Sequence, residues 1–489
     1  MEVMGGERSG ASQMIKLFRL KGMKVFVLLL DILFVYASYL LAYKLIFRGH
    51  IPPAEWESFL DYAPWLGLFT IVPYYMFYLY DFAGRQKPST YLYNLVLAHV
   101  VFVAELIVLN YWLKTFSLPR SVVVIAFGVQ LVLTFGLRLL IFLIQSKGIG
   151  RKRAMVIGGH GHLAMDSLET ILAKGRTWLD IRQIVVIPEG EETPPECSWS
   201  HIDVVLLAHD LPANLKSAVI RAAGLRRIEV LLIPDFYELS LVNAESQQLD
   251  DLMVYSIMPP QLSLLERMMK RSVDLLVSSL LLLAALPVML CMFLLIPLTS
   301  KGRALFVQER IGRHEKPFHL LKFRSMVDNA ELSTGPVLAE AGDARITRLG
   351  QFIRSTRIDE LPQLINVLKG NMSLVGPRPE RAYFIDQFKA ELPHYTYRLM
   401  VKPGLTGLAQ VKAGYATSPE DKLRYDLLYI KNYSPLLDLR ILFQTIMVVL
   451  KREQSRGVAR SPQSSAGSGL EKLTAGSAEY SAPPKRIHG

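Results

Sequence analysis

Long apolar stretches dominate the first third of the chain. They cover about residues 24–47, 64–82, 91–113 and 121–145, with tyrosine and tryptophan at their rims. Each is close to the roughly 20 residues that an α-helix needs to cross a bilayer, and the first is too long for a cleaved signal peptide. The pattern therefore predicts a membrane protein with a bundle of four transmembrane helices within residues 1–150.

Charges at the ends of these stretches predict the orientation of the bundle. Lys16 and Lys24 are among the basic residues before the first stretch, and Lys152 and Arg153 are among those after the fourth. By the positive-inside rule, both ends of the bundle face the cytoplasm.

An acid, Glu105, interrupts the third stretch. Ionisable residues at membrane depth either serve function or pair with a residue on a neighbouring helix. We expect pairing for Glu105, and Arg138 in the fourth stretch is a candidate partner.

A different pattern follows over residues 151–258. Short apolar runs such as AMVIG and IDVVLLAH alternate with helical segments, which predicts a Rossmann-like α/β domain. Gly159 and Gly161 match GxGxxA between a strand and a helix, and Glu189 stands where a ribose-binding acid is expected. Two interpretations stay open: a structural or oligomerisation domain, and a nucleotide site with Gly159 and Gly161 at the cofactor.

A fifth apolar run, residues 272–298, is long enough to cross a bilayer. It is flanked by basic residues on both sides: Arg267, Lys270 and Arg271 before it, and Lys301 and Arg303 after it. Both ends therefore favour the cytoplasmic side. Pro287 removes a backbone donor near the middle and leaves two arms of at most about 22 Å, shorter than the hydrocarbon core. We predict a re-entrant membrane helix with its break at Pro287.

The composition agrees with a membrane protein that meets anionic partners. The 489 residues are 51% hydrophobic and carry a net charge of +12. The sequence has no helix-turn-helix, zinc-finger or RNA-binding motif, so we expect no nucleic-acid partner. The two cysteines, Cys197 and Cys291, are far apart, which argues against a disulfide framework and fits a reducing cytoplasmic location.

The most informative polar segment is RSTRIDELPQLINVLKGNMSLVGPRPE, residues 354–380. It places the adjacent acids Asp359 and Glu360 between basic residues, and Pro362 fits the first turn of a helix. Carboxylates and cations together suit phosphate chemistry, in which a metal and guanidinium groups bind a diphosphate while a carboxylate attacks phosphorus. A capped surface helix with solvated charges is the alternative that the acid pair alone leaves open.

This segment resembles the core signature of the monotopic phosphoglycosyl transferases, the bacterial sugar transferases of polyprenyl-phosphate hexose-1-phosphate transferase type. Five further motifs follow the family's order, over about residues 264–451. They are FVQERIGR (306–313), KPFHLLKFRSM (316–326), GDARITRLGQFIR (342–354), VKPGLTGLAQV (401–411) and YDLLYIKNYSPLLDLRILFQT (425–445). Leu408 stands where the family commonly has tryptophan, so the choice of sugar donor is not predicted.

The resemblance implies a role for individual residues. Asp359 is the catalytic nucleophile, Glu360 is its partner, and both hold Mg²⁺. Lys322, Arg354 and Arg378 bind substrate phosphate.

The resemblance also implies a reaction and a place for it. A UDP-sugar donates hexose 1-phosphate to undecaprenyl phosphate, and UMP is released. This is the initiating step of exopolysaccharide, capsule or O-antigen synthesis at the bacterial inner membrane. We expect a mainly helical catalytic domain over residues 264–453 on the cytoplasmic face, contacts with membrane lipids, a homodimer, and a disordered tail over residues 454–489.

Two other functions stay open. A metal-dependent diphosphate hydrolase would use water as its acceptor, and the re-entrant helix argues against it because hydrolysis needs no path for a lipid. A nucleotide-sensing membrane scaffold would carry an inactive transferase domain, and the intact Asp359, Glu360 and Arg378 argue against that.

Overall fold

The computed structural model describes residues 7–80, 88–113, 118–148, 152–159, 179–188, 198–242, 244–257, 262–327, 343, 345–413, 417–451 and 479–480. The chain forms two compact units. The first unit comprises residues 1–233 and 470–489, and the second unit comprises residues 234–469.

The apolar stretches of the first unit form helices, as predicted. They are α1 (Glu7–Ile46), α2 (Pro53–Met76), α3 (Pro88–Leu113) and α4 (Arg120–Gly148). Buried apolar residues of all four helices form one core, which includes Tyr39, Leu66, Phe102 and Val122.

Four helices in the described part of the chain are long and apolar enough to cross a membrane: Gly22–Ile46, Tyr91–Leu109, Arg120–Ile144 and Leu264–Thr299. The second predicted span forms α2, which is not among these four. Its acids, internal prolines and tyrosines lower its hydropathy. The last of these helices, Leu264–Thr299, contains the run that the sequence predicts to be re-entrant.

The predicted pairing of Arg138 with Glu105 is wrong. Arg138 donates to both carboxylate oxygens of Asp31, at 3.0 and 2.6 Å, and both side chains are buried. Helix α1 packs along α4, so Asp31 lies opposite Arg138, and a bidentate carboxylate satisfies the fork of a guanidinium. Among the described residues, the buried Oε2 of Glu105 has no hydrogen-bond partner.

A parallel sheet follows the helices, and it confirms the mixed helix and strand content predicted for this region. Its strands are β1 (Lys152–Gly159), β2 (Leu179–Ile187), β3 (Val204–Leu207) and β4 (Glu229–Leu232), in the order β2-β1-β3-β4, with helix α5 (Ala213–Leu225) between β3 and β4. Two residues of the predicted disordered tail, Glu479–Tyr480, pair with β2. Gly161 and Glu189 lie outside the described residues.

The second unit begins earlier than the boundary predicted at residue 258. Helix α6 (Phe236–Leu241) starts with a capping box between Asp235 and Glu238. Its Leu239 is buried with Ile385, Leu399 and other apolar residues of this unit. An antiparallel hairpin, β5 (Glu245–Leu249) and β6 (Leu252–Ser256), follows.

Helix α7 (Leu264–Thr299) contains the fifth apolar run and continues through Pro287. The predicted break is therefore not an interruption of the helix, because a proline removes one hydrogen bond and bends a helix without having to end it. That the helix re-enters the membrane stays a prediction.

Both ends of α7 contact other parts of the second unit, to which the helix itself belongs. Near the first end, Lys270 donates to the carbonyl of Val375 at 3.0 Å, and Asp274 accepts from the backbone N–H of Leu374 at 2.9 Å. At the other end, Arg324 donates to the carbonyl of Ser300 at 2.7 Å.

The rest of the second unit is mainly helical, with two small sheets. A hairpin joins β7 (Leu305–Ile311) and β8 (Pro317–Phe323), and β9 (Ser373–Val375) pairs in parallel with β10 (Gly404–Thr406). The helices are α8 (Arg348–Ser355), α9 (Gln363–Lys369), α10 (Ala382–Glu391), α11 (Leu408–Lys412), α12 (Pro419–Lys431) and α13 (Pro435–Lys451). Leu320, Leu364, Leu374 and Ile441 belong to the core that joins these elements.

Candidate active site

The acid pair lies in a tight turn between two helices. Residues Ile358–Glu360 form a single 3₁₀ turn after α8, and Pro362 immediately precedes α9. The sequence predicts Pro362 in the first turn of a helix, whereas in the structure Pro362 precedes that turn and Asp359 lies in the 3₁₀ turn before it. Arg357 opens the turn with φ of 59°, a left-handed conformation that costs a non-glycine residue of order 1 kcal/mol. This backbone reversal directs the chain from α8 into the acid pair.

Glu360 is held by two arginines. Its Oε1 accepts from Arg378 Nη2 at 3.0 Å and from Arg357 Nη1 at 3.4 Å. Burial alone would raise the pKa of Glu360, but Arg378, Lys322 and Arg357 outweigh it and lower the pKa to about 2. Glu360 is therefore ionised at neutral pH.

Asp359 has the opposite environment. Its Oδ1 is buried and has no hydrogen-bond partner within the described ranges. Burial and the charge of Glu360 together raise the pKa of Asp359 to about 6, and the positive charges of Lys322, Arg357 and Arg354 oppose them. Two adjacent carboxyls with pKa values moved apart are typical of catalytic acid pairs.

Lys322 faces the acid pair from β8, where it lies opposite Phe306 of β7. Burial and the charge of Arg378 together lower the pKa of Lys322 to about 8, and the charge of Glu360 opposes them. The backbone N–H of the preceding residue, Leu321, donates to the side-chain oxygen of Asn366 on α9 at 3.0 Å. Asn366 thus fixes the strand that carries Lys322 to the helix that follows the acids.

The structure brings four of the five predicted site residues together: Asp359, Glu360, Lys322 and Arg378. Arg354 is in the last turn of α8, and its charge acts on Asp359 without a hydrogen bond between them. The side chain of Arg378 keeps 39% of its surface exposed, which leaves it accessible to a ligand.

The loop that carries Arg378 is fixed by close backbone contacts. Gly376 donates to the carbonyl of Thr406 at 2.8 Å, and Gly404 donates to the carbonyl of Pro377 at 2.9 Å. A Cβ built on Gly404 would lie 2.1 Å from the nitrogen of Gly376, so a side chain has no room there. The glycines of GPRP and KPG are therefore required for this contact.

Three further arginines belong to this region, and the sequence reasoning missed their roles. Arg357 contacts Glu360, Arg310 donates to the carbonyl of Pro379 at 3.2 Å, and Arg398 donates to the carbonyl of Arg378 at 2.9 Å. Each lies in or beside a recognised motif, but its partner is distant along the chain or depends on an unusual backbone angle.

The acid pair fits a magnesium ion. Mg²⁺ is commonly held by one or two carboxylates together with substrate phosphates, and a buried carboxylate oxygen without a partner is a suitable ligand. Asp359 and Glu360 provide that set. In the described part of the chain, three or more metal-binding side chains nowhere come together, so a site held by protein ligands alone is not present there.

Gly159, the first glycine of the predicted GxGxxA turn, has a carboxylate as its neighbour. The strand order reverses at β1, so ligands of such sheets would bind between the carboxyl ends of β1 and β3. At that point the N–H of Gly159 donates to Asp210 Oδ1 at 3.3 Å, and a Cβ on Gly159 would lie 2.2 Å from Asp210 Oδ2. A carboxylate beside this amide opposes a phosphate, which favours the structural interpretation of the domain.

Comparison with known proteins finds a family model that matches part of the second unit. The family model described as bacterial sugar transferase matches residues 265–452. The UDP-N-acetylgalactosamine-undecaprenyl-phosphate N-acetylgalactosaminephosphotransferase of Aeromonas hydrophila is 48% identical over 184 residues, which cover 37% of this chain and 43% of the relative. The UDP-glucose:undecaprenyl-phosphate glucose-1-phosphate transferase of Escherichia coli K12 is 37% identical over 224 residues, covering 44% and 48%.

A shorter relative is matched over most of its length. The UDP-glucose:undecaprenyl-phosphate glucose-1-phosphate transferase of Caulobacter vibrioides is 41% identical over 193 residues, covering 38% of this chain and 71% of the relative. The chain belongs to the bacterial sugar transferase family. Its match spans less than half the length of the Aeromonas and Escherichia relatives.

Proposed function

We propose that this protein transfers a hexose 1-phosphate from a UDP-sugar to undecaprenyl phosphate and releases UMP. The observation that carries the proposal is the grouping of Asp359, Glu360, Lys322 and Arg378 within the region that matches the family. The names of the three relatives support the substrate class, because each name includes undecaprenyl phosphate. The product would begin the assembly of a cell-surface polysaccharide.

The reaction proceeds in two displacements at one phosphorus atom. An oxygen of Asp359 attacks the β-phosphorus of the donor, the bond to the bridging oxygen breaks, and UMP leaves with the electron pair. The sugar phosphate is then an acyl phosphate on Asp359. An oxygen of undecaprenyl phosphate attacks the same phosphorus, and the bond to Asp359 breaks, which restores the carboxylate.

The surrounding residues support this role for Asp359. Its pKa of about 6 leaves it ionised at neutral pH while its buried oxygen is poorly solvated, which suits a nucleophile. Arg378 and Lys322 offset the negative charge of the phosphates, and Glu360 keeps Arg378 in place. Asp359 and Glu360 would hold Mg²⁺, which would supply positive charge to offset the negative charge of the phosphates.

We also propose that α7 enters the membrane from one side and leaves on the same side. Lys270 and Asp274 near its start, and Ser300 at its end, contact the same compact unit. If α7 crossed the bilayer, its two ends would lie on opposite sides of the membrane, and one compact unit could not contact both ends. Leu276, Leu283 and Leu290 are among the large apolar side chains that α7 exposes to the surroundings, which suits lipid contact. The catalytic unit would then face the cytoplasm.

A single-turnover experiment tests the mechanism. Purified protein is mixed with Mg²⁺ and radiolabelled UDP-sugars, one sugar at a time, without lipid acceptor, and is quenched rapidly. We expect UMP release to stop at about one equivalent per active site and the label to stay on the protein. Undecaprenyl phosphate should then remove the label.

Variants separate the proposed function from its rivals. Asp359→Asn should abolish the burst, and Asp386→Asn, at an exposed acid on α10, should leave it unchanged. Continuous UMP release without acceptor would indicate a hydrolase. UMP release only in the presence of acceptor, with no labelled protein, would indicate direct attack by the lipid phosphate and would exclude the covalent step.

A further inference from the structure

Arg398 is buried beside the loop that carries Arg378, and all three nitrogens of its guanidinium donate hydrogen bonds. Its side chain is 5% exposed. Its Nε donates to Asp426 Oδ2 at 2.9 Å, its Nη1 donates to the hydroxyl of Tyr395 at 2.7 Å, and its Nη2 donates to the backbone carbonyl of Arg378 at 2.9 Å. The partners come from α12, from the 3₁₀ segment Tyr395–Met400, which also carries Arg398, and from the GPRP loop.

The ion pair with Asp426 fixes the guanidinium plane. Asp426 is 2% exposed, and removal of either partner would leave a buried charge without its counterion. With Nε bonded to Asp426 and Nη1 bonded to Tyr395, the remaining Nη2 has only a narrow range of positions. The carbonyl of Arg378 lies within that range.

Arg398 is connected to the candidate active site through a single residue, Arg378. Arg398 bonds to the backbone of Arg378, and the Arg378 side chain bonds to Glu360 Oε1 at 3.0 Å. Flanking prolines stiffen the backbone at Arg378. A shift of its carbonyl would therefore move the whole residue, and with it the guanidinium that faces the acid pair.

We propose that Arg398, held by Asp426 and Tyr395, is a positioning residue that fixes Arg378 for binding the donor diphosphate. This role rests on the proposed transferase function and adds to it a residue that touches no substrate. Only arginine suits the position, because three N–H groups in one plane serve three partners at once, whereas a lysine ammonium cannot span them.

A double-mutant cycle tests the proposal in the full-length protein. The four forms are unsubstituted, Arg398→Lys, Arg378→Ala and the double variant. Two quantities are measured for each: binding of UDP with Mg²⁺ by calorimetry, and kcat/KM for UMP formation. We expect Arg398→Lys to lower both by roughly 10–100-fold in the native background, since small misplacements of a binding group have effects of that size.

The decisive comparison is the Arg378→Ala background. If Arg398 acts through Arg378, the lysine substitution should change UDP binding and kcat/KM there by less than about twofold. Equal losses in both backgrounds would assign Arg398 a general structural role and would overturn the proposal.

Arg424→Lys is the matched control. Arg424 also bonds two acids and one backbone carbonyl, that of Pro234 at 2.9 Å, and it lies on α12 like Asp426, but none of these three bonds is to Arg378. We expect it to leave UDP binding and kcat/KM unchanged.

Two negative outcomes are distinguishable. If the unsubstituted protein neither binds UDP nor forms UMP, the proposed function fails and the positioning role fails with it. If the unsubstituted protein is active and the cycle shows no coupling between Arg398 and Arg378, the positioning role alone fails.

Discussion

At the residue scale, two adjacent carboxyls have pKa values shifted in opposite directions. Glu360 faces Arg378 and Arg357, and its pKa falls to about 2. Asp359 is buried without a hydrogen bond at Oδ1, and its pKa rises to about 6. One carboxylate is thus committed to holding arginines, while the other is free to react.

The pH dependence of the burst should report Asp359. Because the protonated carboxyl cannot attack phosphorus, we expect the burst rate to fall by roughly tenfold per pH unit below about pH 6. In Glu360→Gln the like charge that raises the pKa of Asp359 is gone, so the acid limb should move to lower pH, on top of a slower reaction. Rapid-quench measurements across pH check this. An acid limb that stays in place in the variant would show that Asp359 is not the titrating group.

The stability of the protein should also depend on Asp359. Its folded pKa of about 6 exceeds the unfolded value of about 3.9, so the ionised form destabilises the fold above about pH 6 and has no such effect below about pH 4. We expect Asp359→Asn to raise the free energy of unfolding by up to about 3 kcal/mol near pH 8 and not near pH 4. Thermal unfolding in detergent measures it, with Asp386→Asn as the exposed control. Destabilisation near pH 8 would contradict the buried-charge argument.

Sequence reasoning selected Asp359, Glu360, Lys322 and Arg378 because they lie in recognisable motifs. It missed Arg357, whose part depends on a left-handed backbone angle that no composition signal predicts in arginine. It also paired Arg138 with Glu105, because an acid inside an apolar run is conspicuous. Asp31 lies in such a run too, and only the packing of α1 along α4 shows that it is the partner.

At the scale of elements, α7 shows which features of a helix can be predicted from the sequence and which cannot. Its length, apolar character and basic flanks were readable from the sequence, and the helix Leu264–Thr299 is present. Whether Pro287 would end the helix was not readable, because one missing hydrogen bond is compatible with continuation. The contacts that hold both of its ends, Lys270 to Val375 and Arg324 to Ser300, join segments distant along the chain, so no local pattern contained them.

Cysteine labelling tests the topology of α7. In a chain with Cys197 and Cys291 replaced by serine, Leu264→Cys and Lys301→Cys place single thiols at its two ends, both exposed. We expect a membrane-impermeant reagent outside intact spheroplasts to label neither thiol, and to label both after permeabilisation. The cysteine is placed at Lys301 and not at the next residue, because Gly302 has a φ of 116°, which disfavours a residue with a side chain. Labelling of only one thiol from outside would mean that the helix crosses the bilayer.

At the scale of the whole molecule, the candidate site lies within the second unit. Asp359, Glu360, Lys322 and Arg378 all belong to residues 234–469, which have their own apolar core. The match to the bacterial sugar transferase family model, residues 265–452, also lies within this unit. We therefore expect that the chemistry does not require residues of the first unit, which would leave that unit a role in assembly, such as the homodimer expected from the sequence.

Removal of the first unit should separate chemistry from assembly. We expect residues 234–469, produced in detergent or nanodiscs, to keep the acceptor-free UMP burst within about tenfold of the full chain, since the four candidate site residues and the core around them belong to this range. The oligomeric state, measured by light scattering, should shift towards the monomer. A folded fragment without any burst would show that the first unit takes part in the reaction.

The contacts at both ends of α7 have a consequence for the membrane itself. If α7 enters and leaves through one surface, as we propose, it adds its cross-section to one leaflet only, and each copy would expand the leaflet that it enters relative to the other one. Insertion should then be easiest where the receiving leaflet is stretched, as amphipathic insertions are curvature-sensitive. Reconstituted into vesicles of decreasing diameter, the residue 234–469 fragment should increasingly occupy the outer surface, where curvature has already opened space between the headgroups.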